Sequence, residues 1–221
     1  MAEMTSAGAG LSREQEEQAF YHEAALNASW TGSRLAIGIV TSGLGAFVFS
    51  FFYLRSLNSY GLWYPKGFSG PAMWQGIVIT GLMVVSAVAQ SFGVTQLKAG
   101  KKGGWANLAV VALVLGVASL VVQCWQLGAL SFQPGANGYA SVFTGAMPVF
   151  GALVLGTMIW LEILVMRSRQ IPAISFTEQP PTFTEATEVQ RFQGSLSAFT
   201  LFWNFMAVAS IVFWVLFYIV H

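Results

Sequence analysis

Five apolar stretches, each long enough to cross a bilayer as a helix, constrain this chain more than any other feature of its sequence. They run from Leu35 to Leu54, Ala72 to Gly93, Trp105 to Leu127, Val142 to Met166 and Ser195 to Val220. A membrane's hydrocarbon core takes about 20 residues of helix to cross, and only a helix or a closed barrel satisfies its own backbone polar groups there. The expected fold is all-α, a polytopic bundle of five transmembrane helices. Composition agrees: 9% of residues are charged, against roughly 25% in soluble domains, which is too little polar surface to face water all round.

The ends and loops organise the rest. Met1 to Trp30 is polar, with five Glu and no apolar core of a secretory signal, so residues 1–34 read as an N-terminal segment ahead of a five-helix domain over 35–221. Ser12 to Trp30, with Glu14, Glu16, Glu17, Phe20, Tyr21, Glu23, Leu26 and Trp30, suits a short surface helix that is solvated or touches another subunit. Arg13, Arg34, Lys98, Lys101, Lys102, Arg167, Arg169 and Arg191 fall in one set of flanking segments, and only Arg55 and Lys66 in the other. Because Lys and Arg stay on the cytoplasmic side, the N-terminus is expected inside and His221 outside, with 167–193 a cytoplasmic, irregular loop around Pro172, Pro180 and Pro181. The acceptor-like triplet at Asn27 then lies on the cytoplasmic side and carries no weight.

Several chemistries are poorly supplied. The net charge is +1, without the clustered excess of Lys and Arg that nucleic acid requires. The chain has two histidines, His22 and His221, expected on opposite faces of the membrane, one cysteine and no Asp, so no metal or haem ligand set is expected within it. Cys124 reads as a small buried hydrophobe. Glu162 is the one carboxylate inside a span and reads as an interfacial group paired with Arg167 or Arg169; Pro148 is placed to kink the fourth helix. Neutral amides are more numerous: Gln75, Gln90, Gln123, Gln126 and Asn204. Such groups hydrogen-bond across helices, and Gln123 and Gln126, one turn apart, share a face. They mark a site or act as glue, the latter being preferred. Small residues at Thr41/Gly45, Ala112/Gly116 and Ala152/Gly156 are candidates for close helix approach.

The order of these elements resembles subunit III of haem-copper terminal oxidases, in a divergent five-helix form. Leu115-Gly116 followed by Gln123-Cys-Trp-Gln126 is similar to the family's LG and QxxE stretch. Tyr139-Ala-Ser141-Val-Phe143 with Gly145 and Gly156-Thr-Met-Ile-Trp160-Leu is similar to its YxSxF and GFHGLHV region, and Phe202-Trp203-Asn204-Phe205-Met-Ala207 to YWHFVD. Tyr53-Leu-Arg55 at the end of the first span matches a further element. Ser42-Gly43 stands where the family has Ser-Glu, Gln126 replaces a Glu, Asn204 a His and Ala207 an Asp, and both histidines of GFHGLHV are missing.

The resemblance implies a non-catalytic subunit that packs against catalytic subunit I, together with subunit II, in a bacterial plasma membrane. Haem and copper would be held by those partners and no cofactor by this chain. Gln123, Gln126, Asn204 and Arg55 are then the candidate helix-packing or phospholipid contacts. An accessory subunit of a nitric oxide reductase is the nearest alternative, and a small membrane transporter a more distant one.

Overall fold

In a computed structural model that describes residues 13–58, 60–172 and 183–220, helices α1 (Arg13–Ser56), α2 (Met73–Lys98), α3 (Lys102–Gly128), α4 (Gly138–Gln170) and α5 (Phe183–Trp214) follow one another. Helix α5 runs on into a π-helical turn, Val215–Ile219. Five segments are long and apolar enough to cross a membrane: Ala28–Ser56, Met73–Lys98, Lys102–Gly128, Gly138–Gln170 and Glu188–Ile219. No strand occurs among the described residues, and the architecture is that of a multi-pass membrane protein.

The helices close into a ring in the order α1, α5, α2, α3, α4 and back to α1, with α4 and α5 also touching across the interior. Half of the most apolar window of α5 is buried, against 11% for α1, so α5 forms the hub and α1 lies at the rim. The core is a continuous apolar cluster that includes Phe51, Met83, Trp105, Phe143, Leu161, Phe199 and Trp203. Outward faces carry Ile39, Phe49, Val114, Val121 and Ile163, apolar side chains suited to lipid.

Two ends of the bundle are longer than the apolar runs alone suggest. The acidic segment expected as a separate surface helix is continuous with the first span, making α1 44 residues long, about 66 Å of helix. No break occurs at residue 34. Helix α5 likewise begins at Phe183, so much of the expected irregular loop 167–193 is helical. Val189, Phe192 and Leu196, at i, i+3 and i+7, are buried, and the Phe192 ring meets Trp105 edge-on at 5.3 Å. This buried stripe carries the helix N-terminal of the apolar run that begins at Ser195. Helix α4 stops before Pro172, with Ile171 in the extended conformation that a following proline favours, and Pro148 sits inside α4 without ending it. The Lys102 ammonium donates to the Ile171 carbonyl, tying α3 to that stop. His221, Pro180 and Pro181, and the side chains of Glu14, Glu16, His22, Glu23, Leu26 and Asn27, lie outside the described residues.

At the opposite end, the α1–α2 connection folds back over the start of α4. Asn137 caps α4 by accepting from the Ala140 N–H at 2.7 Å. The next exposed donors of that terminus, the Gly138 and Tyr139 N–H groups, reach the Leu62 and Trp63 carbonyls at 3.5 and 3.2 Å. Trp63 is buried against Phe51 (4.9 Å between ring centres) and Tyr139 (5.9 Å), within an aromatic cluster that also takes in Tyr64, Phe68, Phe132 and Phe217. These edge-to-face contacts are the geometry aromatic pairs prefer.

Candidate functional site: buried amides between the helices

On α3 the 100° step per residue points Gln123 and Gln126 into the bundle, both about 2% exposed or less. The Gln126 amide nitrogen donates to the Tyr218 hydroxyl at 2.6 Å and to the Gln75 carbonyl oxygen at 3.3 Å, joining α3 to the π-turn and to α2. Gln123 donates to the Met147 backbone carbonyl of α4 at 2.8 Å. A small cavity of about 20 Å³ lies beside these groups, lined also by Thr80 and Ser210. That is room for one water molecule. The Gln126 carbonyl oxygen, buried and without a protein partner, borders it.

The π-turn is what aims Tyr218 at Gln126. In this wider turn the Val220 N–H reaches the Val215 carbonyl at 3.0 Å. The Phe217 carbonyl, in the last turn where helical partners run out, accepts the Tyr139 hydroxyl of α4 at 2.8 Å. Gly76 makes room for the arrangement: a Cβ there would lie 2.5 Å from the Tyr218 ring. Of the expected close-approach pairs, Ala112/Gly116 is confirmed, Gly116 facing Met158 so tightly that a Cβ would lie 2.1 Å from its sulfur. Gly45 and Gly156 have nothing within 4 Å, and Thr41, Ala152 and both glycines face outward or towards open grooves, so the other two pairs make no such approach.

A second polar junction lies deeper. The Ser86 hydroxyl of α2 donates to the Ala112 carbonyl of α3 at 2.6 Å and accepts the Trp203 indole N–H of α5 at 3.1 Å. Ser86 and Trp203 are fully buried. The motif reading singled out Trp203 but not Ser86, whose one sequence signal is a hydroxyl inside an apolar run. Gln90 reaches Thr200 of α5 at 3.4 Å, and Ser29 and Ser33 bind α1 to α5 through Ser195 and the Ala198 carbonyl.

The remaining expected site residues fall elsewhere. Asn204 faces outward on α5, accepting from Ser91 at 3.3 Å, and Arg55 is exposed in the last turn of α1. Neither joins the Gln123–Gln126 cluster. Cys124 is exposed rather than buried, because it sits one residue off the inward stripe of Gln123 and Gln126. Glu162 also faces outward, and no ion pair joins it to Arg167 or Arg169 among the described residues. Those residues lie five and seven positions on, outside the i+3 and i+4 spacing that brings helical side chains together. No group of three or more His, Cys, Asp or Glu side chains converges among the described residues.

No protein-family model matches the chain, and no curated protein matches it in sequence.

Proposed function

We propose that this chain is a non-catalytic, subunit III-like component of a haem-copper respiratory oxidase, a membrane scaffold that packs against and stabilises the catalytic subunit. One observation carries this reading furthest. The buried polar side chains of the described bundle, Ser33, Gln75, Ser86, Gln90, Ser119, Gln123, Gln126, Thr157, Ser168 and Ser210, are all neutral. Ion and proton paths through membranes are normally built from buried ionisable groups. Neutral amides and hydroxyls instead hold helices in register. Of the residues that carry the resemblance to the oxidase subunit, Gln123, Gln126, Tyr139, Phe143 and Trp203 are inward and buried, as packing residues would be, while Tyr53, Arg55 and Asn204 face outward.

In this reading haem and copper belong to partner subunits I and II, phospholipid covers the outward faces, and the membrane is a bacterial plasma membrane. The excess of Lys and Arg around the α2–α3 turn and the α4–α5 connection supports a cytoplasmic N-terminus and an external C-terminus in this reading. Purification from the native membrane in mild detergent, with mass spectrometry and an optical spectrum, is the test. The expected result is co-purification with a haem-copper catalytic subunit and its haem absorption. A chain that purifies alone, or with an unrelated transporter complex, would overturn the proposal, and a nitric oxide reductase partner would move it to the related accessory role.

A further inference from the structure

Helices α2 and α5 leave an open groove of about 480 Å³ on the lipid-facing side of the bundle, with Ala87, Val88 and Ser91 on one wall and Asn204, Ala207 and Val208 on the other. Ala87 and Ala207 form its buried floor, while Val88 and Val208 stand 49% and 60% exposed at its edges. Small residues at such a floor let a further helix, about 10–12 Å across, seat close to the backbone.

Asn204 gives the groove its chemistry. Its carbonyl oxygen accepts from Ser91, while its amide nitrogen donates to no group among the described residues. It lies near the middle of the Glu188–Ile219 span, deep in the hydrocarbon region. Water and lipid ester groups are absent at that depth, and each unmet polar group there costs several kcal/mol. An acyl chain would fill the groove but has no acceptor to offer. A second copy presenting this same concave face would leave both grooves unfilled.

We infer that the α2–α5 groove receives one transmembrane helix of a different subunit, which presents a hydroxyl, amide or backbone carbonyl oxygen to the Asn204 amide. This inference rests on the reading of the chain as a complex subunit. It goes further by locating the contact and stating what the partner must supply.

The test is photo-crosslinking in native membranes, with a benzophenone amino acid at Val88 or Val208 in the groove, and at Ile39 or Ile163 on other exposed faces, followed by peptide mapping. The groove positions should label one transmembrane segment of one co-purifying subunit, and the control positions should not. Val208→Trp, an exposed site where added bulk leaves the fold intact, should lower the co-purified partner about tenfold. Asn204→Leu should lower it about threefold, the effect of a single interhelical hydrogen bond, and Asn204→Gln should restore part of the loss. Labelling of the partner from the control faces alone would overturn the groove and leave the subunit reading standing. A second copy of the chain in the adduct, or lipid adducts only, would also overturn the groove. Isolation of the chain with no partner at all would overturn both.

Discussion

Replacing Gly76 by alanine tests the packing of the π-turn directly. An ideal Cβ at this position lies 2.5, 2.7 and 2.9 Å from three atoms of the Tyr218 ring, whereas carbon atoms settle at about 3.5–4.0 Å. The ring must therefore retreat by roughly 1 Å. Its hydroxyl is held by Gln126 at 2.6 Å, and the adjoining space has room for one water rather than for a ring. Overpacking of this kind costs about 1–3 kcal/mol, and loss of the interhelical bond adds about 0.6 kcal/mol. Against this stands the helix-forming advantage of alanine over glycine, roughly 0.5–1 kcal/mol. The net expectation is a destabilisation of about 1–3 kcal/mol. Gly81→Ala supplies the control, because nothing lies within 4 Å of a Cβ there, and it should be neutral or slightly stabilising. Reversible unfolding in mixed micelles, followed by tryptophan fluorescence and circular dichroism, gives both values. In a Tyr218→Leu background the Gly76→Ala penalty should largely disappear. An equal penalty in both backgrounds, or none in either, would refute the assignment of Gly76 as the space reserved for Tyr218.

The topology is checked in a Cys124→Ser background, since Cys124 is exposed on α3. Cysteine at Asn137 should react with an impermeant thiol reagent added outside, and cysteine at Gly100 only after the membrane is opened; the reverse pattern would invert the orientation. Gln126→Leu removes the bonds to Tyr218 and Gln75 and should destabilise the bundle by about 1 kcal/mol, while oxygen-linked proton uptake by the intact complex is unchanged. A large fall in uptake with the complex intact would mean that this position serves more than packing.

The spans are legible in the sequence because the bilayer imposes a composition, and composition needs no tertiary information. Their ends are less so: α5 reaches back to Phe183 with Val189 and Phe192 buried and the Phe192 ring on Trp105, a long-range contact that no apolar window contains. Spacing along α3 correctly brings Gln123 and Gln126 to one face, and the same 100° step turns Cys124 outward. Nothing local distinguishes Asn204, which faces out, from Gln126, which faces in, since each sits among apolar residues and the neighbouring helix decides. The glycines divide in the same way. Gly116 is tight because Met158 leans on it, Gly156 is not tight at all, and nothing local marks Gly76, whose partner Tyr218 lies far along the chain. Pairwise motifs within one helix record that an approach is sterically allowed, but the opposing surface decides whether one occurs.

The hub position of α5 has a consequence for biosynthesis. The ribosome delivers this helix after the other four, yet it supplies the Trp203 donor to Ser86, the Thr200 partner of Gln90 and the Tyr218 partner of Gln126. Until it enters the membrane, α2 and α3 hold those polar groups without their final partners, and α1 has α4 as its main neighbour. A nascent chain of four of these spans is thus left incomplete at the same amides and hydroxyls that later lock the ring, each short of a partner in the membrane until α5 arrives.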